Sequence, residues 1–279
     1  MIIFTSSSRA GSWQIRGRQL AAAVGGEAVE NPTWQQLKAA RLVVVVKRAT
    51  PELLALIRDA GARVVLDVVD PWPQPDGNRW TGPEAATWLK SYIRSFAPLA
   101  TVVTTSVMRA ATPPGMPCLI LPHHARPHQA INPVRKAVTA IGYEGSARYL
   151  DGWLEPLQRL AKARGWHFYI NPEHLADLDI VVAVRGGPWR GWATDNYKSN
   201  VKMANAQATG TPIILLPEQA SIEAASGAEY WVETPADLPA AFDRLAPYEE
   251  RLARSDVLRL AAPHLSHVAA TYRSFLDGL

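Results

Sequence analysis

Cations and small polar side chains cluster where one helix of the sequence is predicted to begin. Apolar residues recur at helical spacing up to Thr209, after which Gly210 and Pro212 end the helix before the apolar run 213–216. The helix start carries Lys198, Ser199, Asn200 and Lys202. Unpaired backbone N–H groups, a candidate capping hydroxyl and two cations at one place favour binding of a phosphate group. A solvated helix face with ordinary lysines is the alternative, since charges at helix ends are common.

Three more loops in the same half of the chain follow predicted strands, where ligands of open parallel sheets bind. Gly142, Gly145 and Ser146 would let the backbone approach a diphosphate. Arg185 stands beside two glycines and could bind phosphate oxygens with two hydrogen bonds. Glu218 could accept a hydrogen bond from a sugar hydroxyl. Plain turns are the alternative for the glycine-rich loops.

The first half of the chain offers candidate general bases. Asp70 ends a predicted strand, in a segment that also contains Trp72 and Trp80. A carboxylate in a cleft walled by these rings could have a raised pKa and take the proton of an acceptor hydroxyl. His123 and His124 are rival bases, and Asp70 could instead be a turn aspartate before proline.

Candidate contacts to an acceptor follow the first predicted strand. They are Arg9, Ser12, Trp13 and Arg16, to which we add Trp72, Trp80 and His124. Several of the ten tryptophans stand in polar segments rich in glycine and proline, where stacking on a ligand ring explains them better than core packing does. Ser12 could equally be the cap of the helix that follows.

Several other functions lack their motifs. The adjacent histidines, His128 and the single Cys118 do not have the spacing of a zinc site. The chain also contains no phosphate-binding loop of the GxxxxGK[ST] type, no GxGxxG after the first strand and no GxSxG nucleophile turn. The sequence therefore disfavours a nucleoside triphosphatase with a phosphate-binding loop, a dinucleotide-dependent dehydrogenase and a serine hydrolase with a GxSxG turn.

Composition and patterning favour two α/β domains. The 279 residues suit two halves of about 140 residues, each able to bury a core. Continuous aliphatic runs alternate with helical segments, which is typical of parallel sheets covered by helices on both faces. Prolines at 122, 127 and 133 mark a linker. We predict two Rossmann-like domains that face each other across a cleft, at residues 1–125 and 134–256, with residues 257–279 as one helix that crosses back to the first domain.

The sequence shows no sign of a membrane or an export pathway. The longest aliphatic run, residues 42–46, is far shorter than the roughly 20 residues of a membrane helix, and no basic segment precedes the apolar start. One cysteine cannot form an internal disulfide, so we expect a cytoplasmic protein. The net charge of +4 permits an anionic partner without requiring one.

The helix that starts near Lys198 also carries a family resemblance. The pattern K-S-N-x-K-x-x-x-A-x-A-x-G-x-P, followed by a strand and then by Glu218 and Glu223, resembles the donor-binding region of the GT-B glycosyltransferases. The resemblance implies a nucleotide-sugar donor, for which we expect a UDP-sugar. Lys198, Asn200, Lys202 and Arg185 would then neutralise the leaving diphosphate, and a divalent metal would not be required.

The resemblance leaves the subfamily and the acceptor open. Many retaining members carry a glutamate-rich E-x7-E element where this chain has Lys198 and Lys202, so either stereochemical outcome is possible. Arginines and tryptophans in the loops suit a polyanion with stackable rings, and the architecture is similar to that of phage enzymes that glucosylate hydroxymethylated pyrimidines in DNA. Trp72 or Trp80 would then be the wedge that extrudes the base.

Hydroxymethylated DNA is accordingly our acceptor hypothesis, with a glycan or a small molecule as the alternative. Two other functions also stay open. A nucleotide-sugar epimerase would use the same donor site, and a non-catalytic nucleic-acid-binding module would use the basic loops to bind phosphates.

Overall fold

The computed structural model describes residues 1–279, which form two parallel β-sheets flanked by helices. The first sheet has the strand order β2-β1-β3-β4-β5-β6 and the second β11-β10-β9-β7-β8. Every strand pairing is parallel. The carboxyl ends of the central strands carry the loops that the sequence analysis singled out.

The strands of the first sheet are short apolar segments, most of them buried on both faces because helices cover both sides of the sheet. They are β1 (Ile2–Thr5), β2 (Glu27–Ala28), β3 (Leu42–Val46), β4 (Val64–Asp67), β5 (Ala100–Val103) and β6 (Cys118–Ile120). The edge strand β2 was not predicted, because it has only two residues and both are exposed.

The helices of the first half start at recognisable caps. They are a π-helix (Trp13–Gln19) continued by α1 (Leu20–Ala23), α2 (Trp34–Ala39), α3 (Pro51–Asp59), a short 3-10 helix (Asp76–Arg79), α4 (Gly82–Phe96) and α5 (Ser106–Ala110). Thr50 caps α3 by accepting the N–H of Leu53, and Thr81 and Glu84 form a capping box on α4. Such caps satisfy backbone donors that the helix leaves free.

The second sheet repeats the alternation of strands and helices. Its strands are β7 (Ala140–Tyr143), β8 (His167–Ile170), β9 (Ile180–Ala183), β10 (Ile213–Leu215) and β11 (Tyr230–Trp231). The helices are α6 (Leu154–Ala163), α7 (Trp192–Tyr197), α8 (Val201–Thr209), α9 (Gln219–Glu223) and α10 (Leu238–Leu245). The sequence pattern of residues 147–164 predicts one helix, but a 3-10 turn (Ala147–Leu150) and the positive φ of Gly152 interrupt it.

Two helices close the chain where the sequence predicted one. They are α11 (Tyr248–Ala261) and α12 (Leu265–Asp277), and Pro263 separates them because it cannot continue a helix. Helix α12 packs on the first sheet, where Tyr272 meets the ring of Phe4 edge to face at 5.9 Å. The chain therefore passes from one half to the other twice, and α12 completes the core of the first half. No helix has both the length and the apolar character needed to cross a membrane.

Candidate functional site

Helix α7 joins the two halves of the molecule at the carboxyl end of the first sheet. Tyr197 and Ala193 belong to the second half of the chain but are buried in a core cluster of the first half. Thr104 donates to the carbonyl of Tyr197 at 3.2 Å, and Thr105 donates to that of Asn196 at 2.9 Å. The start of α8, which follows directly, is thereby fixed between the two sheets.

Loops from three strands of the second sheet meet at the start of α8. Lys202 Nζ donates to Tyr143 Oη at 2.6 Å and lies 3.8 Å from the centre of that ring. A Cβ on Gly145 would lie 3.6 Å from the same Nζ. Arg185 Nε donates to Glu218 Oε1 at 2.6 Å, and each of these two side chains is only 9% exposed. The ends of β7, β9 and β10 therefore present one continuous polar surface.

The charges at this place interact, and positive charge is in excess. Burial and the neighbouring charge of Arg185 lower the pKa of Lys202 well below its ordinary value, against the opposing charges of Glu218 and Glu144. Lys47, Lys198 and Arg185 supply three cations, which face the two carboxylates of Asp70 and Glu218. Glu144 is paired elsewhere, with Arg126 at 2.5 Å. One positive charge thus remains uncompensated, and Lys202 adds a second when it takes up a proton, which suits an anionic ligand.

Asp70 is an ion-paired carboxylate in this structure. Its side chain is 9% exposed and contacts Lys47 Nζ at 2.7 Å and Lys198. Burial by itself would raise the pKa of Asp70, but the charges of Lys198 and Lys47 outweigh burial and hold the pKa well below its usual range. The expectation of a raised pKa is therefore wrong, because two lysines approach this carboxylate. Nothing in the residues around Asp70 in the sequence indicates that they do.

His123 and His124 are buried, at 2% and 1% exposure. Burial and the charge of Arg16 lower the pKa of both rings, that of His124 to about 4 and that of His123 well below its ordinary value. His124 Nε2 lies 2.7 Å from Gln19 Oε1, and the backbone N–H of His123 donates to Asn200 Oδ1 at 3.1 Å. His124 is thus a core residue and not the expected acceptor contact, and Nδ1 of each ring is buried without a hydrogen-bond partner.

The predicted acceptor residues after β1 are mostly structural. Trp13 is 1% exposed and donates to Glu30 at 3.1 Å, and its ring lies against Gly17, where any Cβ would clash at 2.0 Å. Arg16 is fully buried, contacts Asp67 at 3.2 Å and donates to the carbonyls of residues 121 and 122. The expectation that Trp13 and Arg16 line an acceptor cleft is wrong, because packing and ion pairing bury both.

The two other residues of that loop differ from each other. Ser12 is half-buried and makes no capping hydrogen bond, so the alternative interpretation of it as a helix cap is also wrong. Arg9 is exposed and pairs with Glu30, and its guanidinium remains reachable from solvent. Only Arg9 of this loop keeps the accessibility that a contact with an anionic acceptor needs.

Neither predicted tryptophan wedge stands free. Trp72 is 1% exposed, donates from its indole nitrogen to Asn78 Oδ1 at 2.8 Å and meets the ring of Tyr197 edge to face at 6.2 Å. Trp80 is half-buried and lies 5.4 Å from Trp88 on α4. Trp72 is therefore part of the packing between the halves, and Trp80 begins a row of aromatic rings along α4.

Of the remaining residues predicted to bind the donor, some have a structural role and others lie at the candidate site. Gly142 lies inside β7, where a Cβ would meet Leu178 at 2.7 Å, so it serves packing and not a diphosphate loop. Ser146 is exposed at the start of a 3-10 turn. Ser199 and Asn200 are buried, yet neither side chain caps α8, contrary to the prediction of a capping hydroxyl. The first N–H groups of α8 are thus left without a side-chain acceptor.

Sequence reasoning missed two residues that organise this site. Lys47 directly follows β3, so the rule that ligands bind beyond strand ends could have found it. Asn78 is fully buried and accepts hydrogen bonds at 2.8 Å from both Trp72 and Thr194, while its amide donates to the carbonyl of Pro188 at 2.9 Å. Asn78 links the β4–α4 loop to the segment after β9, and nothing in the sequence around it indicates that role.

A large cavity lies on another side of α8 from Lys202. It has a volume of about 580 Å³ and lies between β5, β6, α9 and the turn from α11 to α12; its lining includes Thr104, Pro122, Gln207, Glu223 and His264. At the cationic cluster, the ion pair between Asp70 and Lys198 and the packing of α7 hold the halves together.

Neither a protein-family model nor a curated protein sequence matches the chain. Solved structures do match it. AviGT4, a glycosyltransferase involved in avilamycin A biosynthesis, superposes with a TM-score of 0.56 at 13% identity, covering 100% of this chain and 99% of its own. A trehalose-6-phosphate synthase superposes with a TM-score of 0.55 at 14% identity, covering 85% and 74%.

A third match is an epimerase. The UDP-GlcNAc 2-epimerase of Neisseria meningitidis, bound to UDP-GlcNAc, superposes with a TM-score of 0.52 at 10% identity over 100% of both chains. At such identities the matches establish the fold. With its two parallel sheets and flanking helices, the chain has the GT-B fold.

Proposed function

We propose that the protein is a glycosyltransferase that moves a sugar from a nucleotide-diphosphate donor, a UDP-sugar, to an acceptor hydroxyl. The observation that carries this proposal is the cationic cluster of Lys198, Lys202 and Arg185 at the start of α8, at the carboxyl end of the second sheet. Ligands of such sheets bind at that edge.

The proposed chemistry needs stabilisation of a leaving diphosphate. Negative charge grows on the diphosphate as the bond to the sugar breaks, and cations already held in place stabilise that charge without reorganising. Tyr143 fixes Lys202 and Glu218 fixes Arg185, each at 2.6 Å. The first N–H groups of α8, near Ser199 and Asn200, would add further donors. In this arrangement Glu218 orients Arg185 as well as being a candidate partner for a donor hydroxyl.

We further propose that the site needs no divalent metal for this step, because its excess cations supply the charge stabilisation. The measurement is turnover in the presence of a chelator. Retained turnover is expected, and full loss that Mg²⁺ restores would contradict this part of the proposal.

For the general base, we propose His123 ahead of Asp70, on the condition that substrate binding exposes its ring, which is 2% exposed in this structure. The low pKa keeps the His123 ring neutral, and its Nδ1 has no partner, whereas Asp70 is held by two lysines. His123→Ala should abolish transfer while donor affinity stays nearly intact. An inactive Asp70→Asn variant beside an active His123→Ala variant would reverse this assignment.

Hydroxymethylated DNA remains our proposed acceptor class, now without the Trp72 wedge. Exposed Arg9 and Arg79, which lie in segments after β1 and β4, are candidate contacts to phosphates. DNA duplexes with and without 5-hydroxymethylcytosine are incubated with UDP-glucose and other donors. They are then digested to nucleosides, whose masses are measured by mass spectrometry. A hexose on the modified base is expected, and its absence together with no DNA binding at low salt would leave a glycan or a small molecule.

The donor itself is tested by thermal shift with a panel of nucleotide-sugars, UDP-sugars first. A ligand present at 100 times its Kd should stabilise the fold by about 2.7 kcal/mol. The matched control exchanges Lys202 or the exposed Lys162 of α6 for alanine, and only the first should lose the shift. No stabilisation by any sugar nucleotide or nucleoside diphosphate would refute the proposal.

A nucleotide-sugar epimerase is the second candidate, because the epimerase match spans both chains completely. An epimerase would act on the donor alone. Incubation without acceptor, followed by separation of sugar nucleotides, distinguishes the two: a new sugar nucleotide indicates epimerisation, whereas transfer requires the acceptor.

A further inference from the structure

The carboxylate of Asp70 joins one lysine from each half of the molecule. Its Oδ1 lies 2.7 Å from Nζ of Lys47, which follows β3, and its Oδ2 contacts Nζ of Lys198, which precedes α8. The two lysine side chains are 15% and 18% exposed, so a solvent-borne ligand can reach both. The Lys198 ammonium also lies 5.7 Å from the centre of the Trp72 ring. One acidic side chain thus occupies the space between two cations of different domains.

The backbone around this triad is strained. Val69 has φ 54° and Lys47 has φ 63°, both in the left-handed region. A β-branched residue rarely adopts that conformation, and each such residue costs roughly 1 to 3 kcal/mol. Strain of this kind persists where the surrounding structure holds it, and here it directs Asp70 and Lys47 toward each other from adjacent strand ends. Simple strand-to-helix turns do not need it.

The charge balance favours another occupant. A single carboxylate leaves one positive charge of Lys47 and Lys198 uncompensated, whereas a phosphate group can carry two negative charges and offers three oxygens. The neighbouring Arg185 adds to the positive field, because its charge and that of Lys198 both lower the pKa of Lys202. A phosphate group therefore balances the charge of the two lysines better than the carboxylate does.

We propose that Lys47 and Lys198 form an anion site spanning the two domains, in which the Asp70 carboxylate sits until a phosphate group of a substrate displaces it. This inference rests on the proposed function only for the identity of that phosphate group, which would belong to the nucleotide-sugar donor. Because Asp70 belongs to the first half and Lys198 to the second, displacement breaks an ion pair between the domains. Binding of the phosphate group therefore exchanges the Asp70–Lys198 ion pair for a bridge from Lys47 through the phosphate to Lys198, and it releases the Asp70 loop.

The test uses inorganic pyrophosphate as the probe and isothermal titration calorimetry as the measurement. Asp70→Asn keeps the shape of the side chain but removes the competing charge, so the variant should bind pyrophosphate at least about five times more tightly than the wild-type protein, the low end of usual coupling energies. Adding Lys47→Ala to Asp70→Asn should reverse that gain. Lys162→Ala, which changes an exposed lysine on α6, should bind as the wild-type protein does.

Unchanged or weaker pyrophosphate binding by Asp70→Asn overturns the proposal. Should that variant not fold, hydrogen exchange on the wild-type protein decides: saturating pyrophosphate should speed amide exchange in residues 68–72, and no change there overturns the proposal. The two hypotheses fail separately. Tighter pyrophosphate binding without any sugar transfer refutes the proposed function alone, and sugar transfer with unchanged pyrophosphate affinity refutes this inference alone.

Discussion

Replacing Lys202 by alanine is the sharpest test of the donor site. Nζ of Lys202 is held at 2.6 Å by Tyr143 Oη, and its protonated form is the fourth cation of the cluster beside Lys47, Lys198 and Arg185. Two unit charges 4 Å apart interact by about 4 kcal/mol at the effective dielectric constant of a protein surface. Neighbouring cations share the diphosphate, so we expect a loss of about 2 to 4 kcal/mol of transition-state stabilisation, or roughly 30- to 1000-fold in kcat/KM.

The assay measures initial rates at donor concentrations below KM, using the donor that thermal shift identifies. Folding should survive with a loss of about 1 kcal/mol, because Tyr143 Oη loses its hydrogen-bond partner. The exposed Lys162→Ala variant is the control. An unaltered kcat/KM in Lys202→Ala would refute the reasoning that this ammonium neutralises the diphosphate.

The lowered pKa of Lys202 adds a pH signature to the same experiment. Burial and the charge of Arg185 favour the neutral amine, whereas a bound diphosphate favours the ammonium. Donor binding should therefore take up a proton and weaken as pH rises through that lowered pKa. Calorimetry in two buffers of different ionisation enthalpy measures the uptake, and Lys202→Arg should abolish it. Equal binding enthalpies in both buffers for the wild-type protein would contradict this account.

Three further predictions concern stability. Arg185→Met leaves the buried carboxylate of Glu218 without its partner and should destabilise by about 3 to 5 kcal/mol in urea unfolding, whereas adding Glu218→Leu should recover most of that loss. Because the pKa of His124 is about 4 in the fold and 6.5 in an unstructured peptide, the unfolded state binds a proton that the fold does not as pH falls from 6.5 to 4. The fold should lose up to about 3 kcal/mol in that window, and a His124→Gln variant with the same acid sensitivity would contradict this. Tyr197→Ala removes a buried ring from the core of the other half and should cost about 3 to 5 kcal/mol, which urea unfolding again measures; a cost below about 1 kcal/mol would show that α7 does not help to hold the halves together.

Local sequence patterns predicted most of the secondary structure. The five aliphatic residues Leu42–Val46 form a strand buried at every position, as a continuous run of this kind predicts. Caps at Thr50 and Thr81 mark the starts of α3 and α4 because capping depends on residues only a few positions apart. The predictions failed where a short segment packs on distant chain, as with α7, whose amphipathic pattern is too short to stand out in the sequence.

For the candidate site, the sequence indicated which strand ends carry the charged side chains, but not which residues those side chains pair with. Lys198, Lys202, Arg185 and Glu218 follow strands or open a helix, and parallel topology brings such positions to one edge whatever the rest of the chain does. The prediction that the tryptophans contact the acceptor failed for Trp13 and Trp72. The sequence of a polar loop does not show whether an indole contacts a ligand or packs against a residue distant in the chain.

The sequence by itself determined the alternation of strands and helices, the two α/β halves and the set of loops that carry charge. These features depend on periodicity and on neighbours a few residues apart. Only the tertiary structure decided that Asp70 meets Lys198, which is 128 residues away, and that Trp72 and Arg16 are buried. Ionisation and accessibility depend on which surfaces come together in space, and residue spacing within one strand or helix does not encode that.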